Sequence, residues 1–188
     1  MSLLTDYGLD TPARILPILV LSIRDRNQEK AMNVIHIHKV IRYFEYLRQK
    51  SEIEFSNFKL GAVSYELEEN IQTLKDCGLI HEIDNNRLVL SEIGESAAEE
   101  LETKLDKDEI PKLAFAKKQL NDLPSEELMF FMYKLIPETQ EHSTEFSRLD
   151  RKKDLLVRNL FLKGRINSVT AAKWLGIDEK EFIESLSE

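Results

Sequence analysis

From Asn33 onward, apolar residues recur at Val34, Ile37, Val40, Ile41, Phe44 and Leu47, the spacing of a helix with one buried side. The opposite side carries His38, Lys39, Arg42, Tyr43 and Arg48, so this helix is expected to present a basic outer face. Upstream, Thr11-Pro12 reads as an N-cap followed by proline at the first helical position. The apolar stretch Ile15 to Ile23 then predicts a buried helix kinked or restarted at Pro17, and the polar stretch Asp25 to Met32 predicts a loop. A second helical stripe follows a cap at Ser64, with Leu67, Ile71 and Leu74 inward. Gly78 followed by apolar Leu79 has the chemistry of a Schellman-type stop. Ile80–Ile83 and Arg87–Leu90 flank Asn85-Asn86, two residues that tolerate positive φ, which predicts a two-residue hairpin. Ser91 starts a further helix with Ala97, Ala98, Leu101 and Leu105 inward.

Helix, hairpin and helix within Phe58 to Glu95 is the second half of a winged-helix domain, which we expect over 1–105. The charged run Lys104 to Glu109 marks the boundary. Beyond it, 106–188 reads as an all-helical domain. Pro111 opens one helix, with Leu113, Phe115 or Ala116, and Leu120 inward; Pro124 opens another, apolar at Leu128, Phe131, Met132, Leu135 and Ile136. Polar Pro137 to Leu149 predicts a loop, Asp150 to Leu162 a helix, and two short helices follow around Ala171 and Phe182. Within 150–188, Ala172, Gly176, Ile177 and Phe182 give the small residue, turn glycine and apolar anchors of a helix-turn-helix-like unit. Asp178 is placed to cap its last helix, with Glu181 three residues later. The fold class expected is mainly α with a small β-hairpin.

Charge changes this picture. The 188 residues carry a formal −8, which does not draw the whole molecule to nucleic acid. Locally, however, Arg148 to Lys173 holds eight basic residues against Asp150 and Asp154. The candidate DNA contacts are therefore Arg87 at the wing and Lys163, Arg165 and Lys173 on the C-terminal unit, with Lys39 and Arg42 as weaker candidates. Against them stands the helix expected to enter the major groove, which shows Glu66, Glu68, Glu69 and Asp76 beside a lone Lys75. The alternative is that Glu66, Glu69 and Asp76 form a protein-binding face.

Other classes have weaker support. The longest apolar run, Ile15 to Leu21, is broken by Pro17 and falls far short of the roughly 20 residues of a membrane span. Acidic Asp6 and Asp10 precede it with no cationic region, unlike a signal peptide. The single cysteine, Cys77, excludes an internal disulfide and fits a reducing cytosol; its place in a last helical turn predicts burial. His36 and His38 fall on different sides of a helix, and His81 and His142 lack ligand-spaced partners, so no metal is expected. No phosphate-binding glycine loop and no nucleophile constellation stand out, so neither a cofactor nor catalysis is expected.

The segment G-A-V-S-Y-E-L at Gly61 to Leu67, with Gly78-Leu79-Ile80, the hairpin and L-S-E-I-G-E after it, resembles a group of prokaryotic winged-helix proteins with the signature Y-G-P-Y-S-x-E-L and also Panacea-type antitoxin domains. Leu60 and Ala62 stand where that signature has tyrosine and proline. The tail from Lys163 to Phe182 is similar to a small antitoxin-like family reading G-K-I-S-x-x-x-A-A-x-x-x-G-I-S-x-x-E-F, matched at Gly164, Ile166, Ala171, Ala172, Gly176, Ile177 and Phe182. These resemblances imply prokaryotic regulation of a toxin–antitoxin type and supply no catalytic residue. The resulting expectation is a non-enzymatic cytoplasmic regulator that binds double-stranded DNA as a homodimer, since such readers engage paired half-sites. A protein-interaction module, antitoxin or adaptor, is the rival.

Overall fold

The computed structural model describes residues 3–58, 61–140 and 143–186, with backbone alone at 57 and 58. Leu60 and His142 lie outside the described residues. The chain divides into two units, Met1–Ser56 with Ala62–Asp122, and Asn57–Gly61 with Leu123–Glu188. It is mainly helical, with a small antiparallel sheet.

The first unit is organised around α2 (Pro12–Ser22), in which Ile18, Leu19, Val20 and Leu21 are fully buried. This helix packs against α3 (Val34–Arg48), α4 (Tyr65–Asp76), α5 (Glu92–Glu102), α6 (Glu109–Leu120) and strand β5 (Arg87–Leu90), so it is covered on all sides. That is why its sequence is a continuous apolar run without an amphipathic period. The helix runs unbroken through Pro17, and a short α1 (Leu3–Asp6) precedes it and packs on α5. Thr11 is the N-cap, although its side chain makes no capping bond.

Strand β1 (Met32–Asn33), at the end of the stretch expected as loop, joins β5 and β4 (Ile80–Ile83) in an antiparallel sheet of order β1-β5-β4. Met32 pairs with Leu88, and Ile80 with Leu90. A second, two-stranded ribbon is formed by β2 (Ser56–Phe58) and β3 (Gly61–Val63). Because Ile83 pairs with Arg87, the hairpin turn holds three residues, Asp84 to Asn86, and not two; Asn85 (φ 63°) and Asn86 (φ 56°) both take the left-handed conformation. The caps on α4 and α5 are as the sequence reads. Ser64 Oγ accepts from Leu67 N–H and Ser91 Oγ from Gly94 N–H, while Leu79 N–H reaches Leu74 O and Gly78 N–H reaches Lys75 O beyond the end of α4. Cys77, expected to be buried, is exposed, because it stands off the Leu67–Ile71–Leu74 stripe.

Helix α6 belongs to the first unit, so the units divide after Asp122 and not at the charged run 104–109. It packs along α3 with Leu113, Ala116 and Leu120 buried and Phe115 exposed. Burial overturns the expected basic outer face of α3. His38, Lys39 and Tyr43 are buried: Tyr43 lies against Phe115 of α6, and His38 and Lys39 reach the backbone of Ser64 and Ala62.

The second unit contains α7 (Ser125–Leu135), a 3-10 turn (Pro137–Gln140), α8 (Phe146–Asp150), α9 (Lys153–Leu162), α10 (Ser168–Leu175) and α11 (Glu179–Glu184). The stretch Pro137 to Leu149 is thus partly helical, and the helix expected over Asp150 to Leu162 is found at Lys153–Leu162, with Asp150 the last residue of α8. Leu128, Phe130, Val157, Leu160, Ala171 and Phe182 are fully buried. The Trp174 ring meets Phe130 and Phe131 edge-on at 6.1 and 6.0 Å, and Phe161 meets Phe182 at 5.1 Å, geometries that favour aromatic pairs. Gly176 (φ 77°) turns the chain from α10 to α11, and Asp178 caps α11 through Lys180 N–H. Among the described residues no helix is long and apolar enough to cross a membrane.

One close approach in the first unit gives a direct test. A Cβ added to Gly94 would lie 2.2 Å from the carbonyl oxygen of Leu79, backbone that also accepts the Ser91 N–H. Gly94→Ala is expected to lower unfolding stability by about 1–3 kcal/mol in urea denaturation, the usual cost of overpacking, although alanine favours a helix.

Candidate functional site

Two surfaces qualify as sites: the outer face of α4 with the hairpin beside it, and the C-terminal helices α9 to α11. What positions α4 is the polar side of α3. His38 Nδ1 accepts the backbone N–H of Ser64 at 3.0 Å, and Lys39 Nζ donates to Ala62 O at 2.6 Å. Two neighbouring α3 side chains thus hold the three residues that lead into α4. Lower on the same helix, Glu45 Oε1 accepts the N–H groups of Glu52 and Ile53 at 2.7 and 2.9 Å. From α6, Lys117 Nζ donates to Val20 O and Lys30 O at 2.8 and 2.7 Å, closing the carboxyl end of α2 against the following loop. These backbone groups lie in short strands, at helix ends or in connections, and the buried side chains bond to them there.

Burial sets the acid–base behaviour of this cluster. It lowers His38 to about 4, with a further push from the Lys39 charge, and it lowers Lys39 to about 8 and Lys117 to about 7. It also pushes the Glu45 carboxyl up, against the opposing pull of the two amides, Arg48 and Arg42. Because His38 Nδ1 is an acceptor, the ring is neutral with its proton on Nε2, a buried nitrogen that has no hydrogen-bond partner among the described residues.

The outer face of α4 carries Glu66, Glu68, Glu69, Gln72, Thr73 and Asp76, all exposed, with the Tyr65 ring 61% exposed at its start. Its one cation, Lys75, is paired with Glu82 at 2.9 Å on the neighbouring strand. The surface is therefore acidic along its length. A phosphate backbone laid on it would meet four carboxylates whose nearest cation is already engaged.

The candidate cations are dispersed and mostly occupied. Lys39 is buried with its ammonium on Ala62 O, so it does not face solvent. Arg42 lies over the Phe55 ring at 5.5 Å and 3.8 Å from Glu45, half-buried. Arg87 pairs with Glu29 at 2.9 Å. In the second unit, Lys163 is held by Glu127 at 2.6 Å, and Arg165, expected outward, is only 8% exposed because the turn after α9 folds it inward, with its N–H on Leu160 O. Lys173 is exposed and, among the described residues, has no ion pair. Of the remaining basic residues expected to give a cationic face, Arg148 and Lys152 both pair with Glu126, and Arg158 donates to Ser185 O. The structure thus brings none of the six candidates into one patch within either unit.

The residues that position the site were missed in the sequence although their signal was present. Lys117 follows Leu113 by four and precedes Leu120 by three, a core position of the helical stripe. Glu45 follows Ile41 by four, and Glu127 precedes Phe131 by four, in the same way. A charged residue at a stripe position marks a buried polar anchor. No family model, no curated protein and no solved structure matches the chain.

The neutral, buried His38 makes acid stability a measure of how α4 is held. Below its ordinary pKa of 6.5 an unfolded His38 takes up a proton, whereas the folded ring does so only near 4. Its contribution is therefore intact above pH 6.5 and is lost as pH falls toward 4, on the order of 3 kcal/mol. His38→Gln, which retains an acceptor that does not titrate, is expected to flatten this part of the stability–pH curve measured by urea denaturation.

Proposed function

We propose that this protein is a non-enzymatic regulator built on a winged-helix scaffold, and that its α4 face binds a basic segment of a protein partner. The succession α2, β1, α3, α4, β4, β5, with the first strand paired to the third, supports the winged-helix reading. In such a scaffold α4 occupies the place of the recognition helix. The observation that carries the proposal is the charge of that helix: every exposed ionised side chain on it is acidic, and Lys75 is spent on Glu82. Carboxylates in that arrangement attract Lys- and Arg-rich peptide and repel phosphate. The antitoxin-like resemblance points the same way, since an antitoxin or adaptor works by holding another protein. A cytoplasmic setting, from the single exposed Cys77, and self-association complete the reading.

Double-stranded DNA is the second reading, favoured by the same succession of elements and by the unpaired Lys173 at the helix-turn-helix-like unit. The two readings separate in one pair of experiments. Affinity capture is expected to recover a basic partner with the native chain and to lose it with Glu66→Arg, Glu69→Arg and Asp76→Arg combined. Anisotropy titration with random duplex at roughly 50 and 200 mM salt is expected to show no binding at either concentration. Micromolar duplex binding that weakens at the higher salt and falls further in Lys173→Glu would replace the partner reading with the DNA reading.

A further inference from the structure

Between its N-terminal segment and the carboxyl end of α5, the first unit leaves a cavity of about 470 Å3, a volume in the range of small-ligand sites. Its walls are apolar: Leu4 and Leu9 from the N-terminal segment, Ile15 from α2, and Leu101 and Leu105 at the end of α5. Ile15 and Leu105 are only half-buried, so both turn apolar surface to this space. The segment above the cavity is pinned from α2 and does not sink into it. Arg14 Nη1 donates to Gly8 O at 2.9 Å, and Arg14 Nε donates to Asn70 Oδ1 at 2.9 Å. Gly8 takes the left-handed conformation (φ 59°), and a Cβ there would lie 2.9 Å from that same Arg14 Nη1, so glycine is what admits the pin. A smaller cavity of about 250 Å3 shares Ile15, Lys104 and Leu105 with the first. On its far wall stands Arg48, whose guanidinium is engaged by Glu52 and Glu109. The junction of the two cavities therefore offers two apolar side chains and one ammonium. Lys104 is 58% exposed and stands 3.6 Å from Glu100, beyond hydrogen-bond length, which leaves its donors open. The carboxylates of Asp10 and Asp106 each line one cavity alone and are not part of the junction.

We propose that these joined cavities bind an aliphatic carboxylate, with the chain against the leucine walls of the larger cavity and the carboxylate on Lys104 at the junction. The apolar walls select the chain through the surface it removes from water. The ammonium selects the head: a carboxylate gains a charge-assisted hydrogen bond there, an alcohol gains only a neutral acceptor's share, and an amine meets like charge. Glu52 and Glu109, the acids of the far wall, are engaged by Arg48 and do not compete for Lys104. The site is distinct from the outer face of α4, and the inference rests neither on a protein partner nor on DNA.

Isothermal titration of the full chain with octanoate at pH 7 is expected to show saturable one-to-one binding, with a Kd below about 1 mM. Octylamine and 1-octanol, which carry the same chain on other heads, are expected to bind at least tenfold more weakly. Lys104→Gln, at an exposed position and so compatible with an unchanged circular dichroism spectrum, is expected to weaken octanoate at least tenfold and to leave 1-octanol where it was, a split that general damage to the fold would not give. Thr5→Trp places a large ring from an exposed lining position into the larger cavity; it is expected to abolish octanoate binding without lowering the midpoint of thermal unfolding. Absence of saturable octanoate binding overturns the proposal. So does binding of 1-octanol or octylamine as tight as that of octanoate, which would deny the ammonium its role. Octanoate affinity unchanged in Lys104→Gln, or unchanged in Thr5→Trp, would place the ligand elsewhere and overturns it too. None of these results bears on the acidic face of α4, which the capture experiment addresses separately.

Discussion

Helix α3 of the first unit buries charged and polar side chains, and much of that unit depends on what those side chains hold. His38, Lys39 and Glu45 each reach backbone on the path from α3 to α4: Ser64 N–H, Ala62 O in β3, and the N–H groups of Glu52 and Ile53. An unpaired buried amide or carbonyl costs about 1–3 kcal/mol, so the segment between α3 and α4 could not follow its path against the core without these partners. Their burial lowers the dielectric around these bonds and removes competing water. The same cover makes their charged states costly, which is why burial depresses His38, Lys39 and Lys117 alike. Helix α6 supplies the reciprocal anchor through Lys117, whose two acceptors, Val20 O and Lys30 O, lie at the far end of α2 and in the loop after it.

Much of this fold was legible from local chemistry. Ser64, Ser91, Gly78 and Leu79 act as caps and stop as their residue types require, and the stripes Leu67–Ile71–Leu74 and Leu113–Ala116–Leu120 face inward. What was not legible had one physical cause: tertiary cover. A basic side on α3 means solvent exposure only while nothing packs on it, and the single-helix pattern carries no trace of α6. The two-residue strand β1 is equally silent, since Met32 and Asn33 become a strand only by pairing with Leu88 and Arg87. Arg165 and Lys163 failed as a free cationic pair for a related reason. The turn after α9 buries the first, and Glu127, itself buried, takes the second.

Function follows from the charges that remain outside. A formal −8 spread over the chain would leave room for a local basic patch, but of the candidate cations only Lys173 is exposed without an ion pair among the described residues; Arg87 and Lys163 are paired with acids, and Lys39 and Arg165 are buried. The acids of α4, by contrast, are left to solvent, on a helix whose start is fixed from below by His38 and Lys39. A rigid helix with one sign of charge on its face suits recognition of an oppositely charged partner, with association steered by that charge. On the winged-helix reading proposed above, α4 would then serve as a platform for protein contact, suited to basic peptide and not to phosphate.

The claim on which this account stands is that buried α3 side chains, and not the local sequence of α4, fix where α4 begins. Hydrogen exchange on the native chain and on Lys39→Met, followed by mass spectrometry at pH 7, tests it most directly. The account predicts that the substitution frees Ala62 O, so that the amides from Ala62 to Leu67 exchange faster while those of α2, β4 and β5 keep their protection. Unchanged protection across Ala62 to Leu67 in a folded Lys39→Met chain would contradict it, and would leave α4 anchored by its own cap alone.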